Sequence, residues 1–242
     1  MISILPVTGL PEVRQGDDLA ELVAASASLE HGDVVVVAQK VVSKAEGRVV
    51  RLDAFEPSAR AVELANGERD PRELEAILRE TRRVVRERAP LVIAETRHGF
   101  VCASAGIDHS NTADPDTLIL LPLDPDASAR RLRAGLRARA GVEVAVIVSD
   151  SFGRPFRQGT TDVALGVAGL TPLVDLRGQA DRRGEPLRTT QVAVADEIAA
   201  AANLVRRGKD DGLPVVVVRG LEFGGDGTAA ELVMPAELDL FR

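Results

Sequence analysis

The chain has 242 residues, 45% hydrophobic and 28% charged, the composition of a globular protein of one large domain or two small ones. Its 37 Asp and Glu against 30 Lys and Arg leave a net charge of −7. That balance argues against a nucleic-acid coat, but not against a local basic pocket for a phosphorylated ligand. The single cysteine, Cys102, excludes an internal disulfide and a Cys-rich zinc site, and His31, His98 and His109 show no metal-centre spacing. Oxygen ligands remain, and they favour Mg2+ or Mn2+. Residues 1–6 lack the basic flank and length of a signal peptide, and no apolar run approaches the roughly 20 residues of a membrane span. The cytoplasm is the expected compartment, with neither membrane nor nucleic acid as partner.

In chain order, residues 2–7 read as a first strand, ended by the turn Gly9-Leu10-Pro11. Asp17 and Asp18 open a helix to about Ala25, with Leu19, Leu22 and Val23 on one face. The β-branched run 34–38 is a buried strand that enters a polar segment, 39–47. Residues 57–88 read as helical: Asp70-Pro71 is a start signal, and Leu74, Ile77, Leu78 and Val85 follow at helical spacing. Residues 91–95 and 100–104 form a hairpin around Arg97-His98-Gly99. A second helix runs from Asp126 to about Ala140 and stops at Gly141. A strand at 142–148, an Ala-rich helix at 192–205 and a strand at 214–218 complete a mixed α and β chain. The arginines at 79–88 and 130–139 read as solvated helix faces. No repeat or linker divides the chain, so one unit, 1–242, is expected, with room for two subdomains.

No P-loop, dinucleotide-binding glycine fingerprint or nucleophile elbow occurs. Four polar clusters carry the chemistry. Thr8-Gly9-Leu10-Pro11 is either a plain turn or a cradle of N–H groups for an anion. The segment 39–47 holds Lys40, Ser43 and Lys44, which read as a solvated pair or as phosphate ligands beyond a strand. Asp108, Ser110 and Asn111 suit a hard cation or an Asx turn. The richest stretch is 149–162, where a strand delivers Ser149, Asp150 and Ser151 and then Arg154 and Arg157. Asp150 with Ser151 is a candidate metal pair, Asp108 a candidate to converge on it, and the arginines can neutralise an anionic substrate. Cys102 and His109 read as a core and a surface residue. The loop Gly208-Lys209-Asp210-Asp211-Gly212 is a turn first and a ligand loop second.

Taken together, PVTGLP at 6–11, VSKAEG at 42–47, AGIDHSN at 105–111, LDPD at 123–126, SDSFGR at 149–154, VADEIA at 194–199 and the run 214–221 resemble the coenzyme F420-0:L-glutamate ligase family, the gamma-glutamyl ligases of deazaflavin cofactor biosynthesis. The likeness reaches from the N-terminus to about residue 222. It implies a family-specific α+β fold in an intertwined homodimer, neither P-loop, Rossmann nor ATP-grasp. It also implies GTP-dependent joining of L-glutamate to coenzyme F420-0, with a further gamma-linked glutamate within the family's range. By position, GTP contacts fall on Thr8, Gly9, Leu10, Pro11, Gln39, Lys40, Lys44, Asn111, Gly208 and Lys209. Divalent metal ligands fall on Asp108, Asp150 and Ser151, with Mg2+ or Mn2+ expected at two per subunit and K+ as a further cation. Where this chain has Ser151, members often carry threonine, and the hydroxyl is kept. The loop 206–212 departs from the pattern, and the second metal ligand there has no fixed equivalent. Some relatives carry a nitroreductase-type domain behind this unit; a chain ending at Arg242 is expected to lack it.

Given those substrates, GTP would phosphorylate a carboxylate to an acyl phosphate, and the glutamate amine would then displace phosphate. Lys44 and Arg154 are the candidate catalytic groups, countering the repulsion of crowded anions. With no Trp or Tyr, any aromatic contact to the deazaflavin comes from a phenylalanine, Phe152 or Phe156 being nearest. The alternatives are another nucleotide-dependent carboxylate–amine ligase and a non-catalytic nucleotide- or metal-binding dimer.

Overall fold

The computed structural model describes residues 1–109, 114–206 and 212–240. Its elements run β1 (Ser3–Pro6), α1 (Leu19–Ser26), β2 (Val34–Ala38), α2 (Gln39–Ala45), β3 (Val49–Arg51), α3 (Ala59–Ala65), α4 (Pro71–Glu80), β4 (Thr81–Arg88), β5 (Leu91–Thr96), β6 (Val101–Ala103), β7 (Thr117–Ile119), α5 (Pro125–Ala140), β8 (Ala145–Arg154), β9 (Arg157–Ala168), β10 (Val174–Asp175), β11 (Gln191–Val192), α6 (Val194–Arg206) and β12 (Val215–Arg219).

The central sheet has the order β1-β12-β2-β8-β9. Only β2 and β8 are parallel; the other neighbours are antiparallel. That pattern is not the parallel sheet of a dinucleotide-binding fold. The valine runs explain the centre. Strand alternation sends Val35, Val37, Val146, Val148, Val215 and Val217 to one face, where they pack on Val23 of α1 and on Leu132 and Leu136 of α5. The intervening Val34, Val36, Ile147, Val216 and Val218 face Ala195, Ile198, Ala199 and Ala202 of α6. A strand covered on both sides reads as an unbroken apolar run, and each buried valine contributes about 1.5 kcal/mol or more.

A second core lies outside this sheet. Leu64 of α3, Leu74 and Ile77 of α4, Val92 and Ala94 of β5, and Leu118 of β7 enclose it, beside the sheets β3-β7 and β4-β5-β6. Here the sequence expectation is corrected. The stretch 57–88 is not all helix: α4 ends at Glu80, and 81–88 is a strand paired antiparallel with β5. The Thr81 hydroxyl donates to the Ile77 carbonyl at 2.6 Å and closes the helix. Thr81, Val84 and Val85 are β-branched, and Arg83 crosses the strand pair to the buried Glu95 at 2.8 Å. The helical spacing of Val85 was coincidental, and the arginines after 80 lie on a strand. Those of α5 do lie on a helix, where Arg131 meets Glu46 and Arg139 meets Asp18.

Helix ends follow their capping residues. Asp18, Ser58, Asp70 and Asp124 each accept from first-turn N–H groups, and Gly141 adopts the left-handed conformation that ends α5. Helix α5 therefore starts at Pro125, one residue before the expected Asp126. The Asp126 carboxylate instead accepts from the Val167 and Ala229 N–H groups at 2.8 and 2.9 Å. The polar segment after β2 is the short helix α2. Among the described residues no helix is long and apolar enough to cross a membrane.

Candidate active site

Because β2 and β8 are parallel with Ala38 beside Ser149, the residues that follow the buried part of each emerge at one edge of the sheet. A cleft of about 1000 Å3 opens there, lined from α2, residues 10–13, residues 102–108, the β8–β9 hairpin and the end of α6. Helix α2 starts directly after β2, which puts Lys40 and Lys44, four residues apart, on one face toward the cleft. The Lys40 Nζ lies 2.6 Å from the Asp108 carboxylate, and the Lys44 Nζ lies 2.5 Å from Glu12. Asp108 is fixed by a backbone bridge to Ile119, donating at 3.0 Å and accepting at 2.8 Å.

Strands β8 and β9 form one long hairpin that turns at 155–156, so the 149–162 stretch is not a loop beyond a strand end, as the sequence suggested. This decides where its side chains point. Ser149 and Ser151 alternate onto one face and both donate to Asp162, at 3.1 and 2.6 Å. Asp150 leaves the opposite face, among Asp108, Lys40 and Cys102. Burial pushes the Asp150 carboxyl up to about 7; the carboxylates of Asp108 and Asp162 add to this, while the Ser151 N–H and Lys40 oppose it. Burial, with Asp150 nearby, holds the Cys102 thiol up at about 12, so it is a protonated core residue and no nucleophile.

Among the described residues no three of His, Cys, Asp and Glu form a metal cage. Asp108 and Asp150 share the cleft as two carboxylates, with hydroxyls in the same lining. Mg2+ usually keeps several waters and is held by one or two carboxylates and substrate phosphates, and this pair fits that habit.

The cleft thus gathers Leu10, Pro11, Lys40, Lys44, Asp108, Asp150 and Ser151 from the sequence candidates. Thr8 and Gly9 are not among its lining residues. Gln39, the first residue of α2, is buried; its Oε1 accepts from the Ser43 hydroxyl at 2.9 Å, and its Nε2 has no partner among the described residues. Arg154 does not join the cleft: it is exposed near the hairpin tip and donates to the Gln158 carbonyl at 2.8 Å. Arg157 and Phe156 are exposed there too, whereas Phe152 lines the cleft with its ring edge-on to Phe100 at 6.5 Å. His109 turns to the buried Glu73 at 2.7 Å. The candidates Asn111, Gly208 and Lys209 lie outside the described residues.

Sequence reasoning assigned no role to Asp162 or Arg206. Arg206 donates to Asp162 at 2.7 Å from deep in the cleft wall. A signal existed: Arg206 continues the buried stripe Ala195, Ala199, Ala202 of α6, and a charge at a core position demands a buried partner.

Comparison with known proteins decides the family. The family described as F420-0:Gamma-glutamyl ligase matches residues 9–220. The chain belongs to it. The match takes in every strand of the central sheet except β1. Curated relatives named "Coenzyme F420:L-glutamate ligase" agree. The one from Methanothermobacter thermautotrophicus is 46% identical, over 100% of this chain and 99% of its own. That from Methanopyrus kandleri is 48% identical, over 100% and 98%. A Halobacterium salinarum relative is 49% identical, over 98% and 94%. As a gamma-glutamyl ligase family member the chain is an enzyme, which sets aside the non-catalytic binding dimer.

Proposed function

We propose that this ligase joins L-glutamate to coenzyme F420-0 with GTP as the energy source, working as a homodimer with divalent cations and supplying coenzyme F420 biosynthesis. The observation that carries the reading is that one cleft gathers two lysines of α2, Lys40 and Lys44, with the carboxylates of Asp108 and Asp150. Three anionic reactants must meet in a protein of net charge −7, so positive charge has to be local.

In the first step the γ-phosphoryl group passes from GTP to a carboxylate oxygen of F420-0, releasing GDP. In the second, the glutamate nitrogen attacks the acyl carbon, the C–N bond forms, the C–O bond to phosphorus breaks, and inorganic phosphate leaves. The nitrogen gives up its proton in this step. Lys40 and Lys44 hold phosphate oxygens and offset charge as it moves. Asp108 and Asp150 would hold a divalent cation, which supplies charge neutralisation between the phosphates when bound. Carboxylate activation by phosphoryl transfer calls for no protein nucleophile, in keeping with the inert Cys102. The exposed Arg154 leaves Lys40 the better-placed companion to Lys44.

The test is turnover of purified protein with GTP, Mn2+, L-glutamate and F420-0. One GDP should form per glutamate added, with the product heavier by one glutamyl residue. Absence of glutamylated product overturns the reading; equal turnover with another phosphorylated acid moves it to a different ligase of the same reaction type.

A further inference from the structure

The reaction drawn above gives no role to the ion pair behind Ser151. Asp162 is 2% exposed, and its carboxylate can only accept hydrogen bonds. Three donors converge on it: Ser151 Oγ at 2.6 Å on Oδ1, and Ser149 Oγ at 3.1 Å and Arg206 Nη1 at 2.7 Å on Oδ2. Arg206 is fixed in turn. Nη1 also donates to Ser149 Oγ at 2.8 Å, and Nη2 donates to the Val36 carbonyl at 3.1 Å. The clamp ties α6 to β2, β8 and β9.

Its effect on the two serines differs. A hydroxyl carries one proton and two lone pairs, and each serine donates its one hydrogen bond to Asp162. Ser149 also accepts from Arg206 and is fully buried. Ser151 lines the cleft, and its Oγ receives no hydrogen bond among the described residues. Ser151 therefore turns lone pairs, and no proton, to the cleft. Such an oxygen suits a cation and repels the oxygens of a phosphate or carboxylate.

We propose that Asp162, held by Arg206, is a positioning residue that accepts the Ser151 hydroxyl hydrogen bond and so turns Ser151 into an oxygen ligand for a divalent cation. This rests on the metal-dependent reading of the preceding subsection. Ser151 leaves β8 on the face opposite Asp150, and both line the one cleft with Asp108.

The experiment is a double-mutant cycle read by Mn2+ binding calorimetry, with a non-hydrolysable GTP analogue present and thermal melts alongside. Ser151→Ala and Asp162→Asn should each weaken one class of Mn2+ site about tenfold or more, the scale of ligand-supporting groups. Ser151→Thr should bind within threefold of wild type. The double variant should bind no more weakly than Ser151→Ala, because Asp162 acts through Ser151. Ser149→Ala removes a comparable bond to Asp162 and controls for a merely structural effect: the melt drops and Mn2+ binding stays. If Asp162→Asn weakens Mn2+ equally in the Ser151→Ala background, or a folded Ser151→Ala binds like wild type, the proposal is overturned. Should Asp162→Asn not fold, Ser151→Ala against Ser151→Thr still decides. Wild type that binds no Mn2+ overturns the metal reading itself, and this proposal with it.

Discussion

The Lys40 ammonium rests 2.6 Å from the Asp108 carboxylate, joining the helix after β2 to a segment that enters from the second core. This contact binds the two halves of the cleft. Lys40→Gln removes the charge and leaves the carboxylate short of a partner. We expect kcat/KM for GTP to fall by at least about 100-fold and stability to fall by about 1–3 kcal/mol, with Lys40→Arg restoring stability more than turnover. GDP release and urea unfolding read the two effects; a Lys40→Gln enzyme with normal GTP kinetics removes Lys40 from the site.

Glu12 is largely exposed where it meets Lys44. An exposed pair adds well under about 1 kcal/mol to stability, so Glu12→Gln should leave the melting curve nearly unchanged. It also frees the Lys44 ammonium for an incoming phosphate. The expected result is a KM for GTP about two- to fivefold lower, larger at low ionic strength than at high. A raised KM would mean that Glu12 itself assists binding.

Asp150→Asn should abolish turnover while the chain stays folded. Asparagine keeps the shape and one oxygen but cannot supply the charge that a divalent cation requires. Loss of about 1000-fold or more in kcat, with an unchanged far-UV spectrum and melting temperature, is the expected pair of readings. Near-normal turnover would remove Asp150 from the metal assignment.

Asp196, in the first turn of α6, accepts from the Ala164 N–H at 2.8 Å, yet burial raises its pKa above the ordinary carboxylate value. The folded chain thus holds this proton more tightly than the unfolded one. Its stabilising effect is complete below the unfolded value near 3.8 and is lost as pH rises through the folded value. Asp196→Asn keeps the acceptor and removes that dependence. Urea midpoints between pH 4 and 8 should fall less steeply with rising pH in the variant; parallel curves would refute the assignment.

Gly166 of β9 lies against the start of α5, where an added Cβ would meet the Pro125 carbonyl oxygen at 2.2 Å. Backbone against backbone cannot give way cheaply. Gly166→Ala should cost about 2–4 kcal/mol, read as a lower urea midpoint with unchanged slope.

Much of this fold was legible in the sequence because its centre is simple. Valine runs covered on both faces announce themselves, as do the caps Asp18 and Asp70 and the stop at Gly141. The strand at 81–88 was not legible, because its partner β5 and the carboxylate of Glu95 decide it, and neither is local. The site divides the same way. Lys40, Lys44, Asp108 and Asp150 stand near strand ends and could be named. The opposite facing of Asp150 and Ser151 could not, since it depends on β8 continuing past the buried core. Arg206 hid in an Ala-rich helix whose stripe reads as apolar until its last residue.

The parallel pairing of β2 and β8 has a consequence for how the enzyme comes into being. Lys40 and Asp150 flank the contact between Ala38 and Ser149, segments separated by roughly a hundred residues of chain, so the site is a high-contact-order feature. The part of the chain before residue 110 supplies both lysines and Asp108, and β8 supplies Asp150. During synthesis Lys40 emerges long before Asp108 and Asp150 exist, and the cleft is complete only when β8 docks on β2. A chain stalled before β8 is therefore expected to be inert, not weakly active.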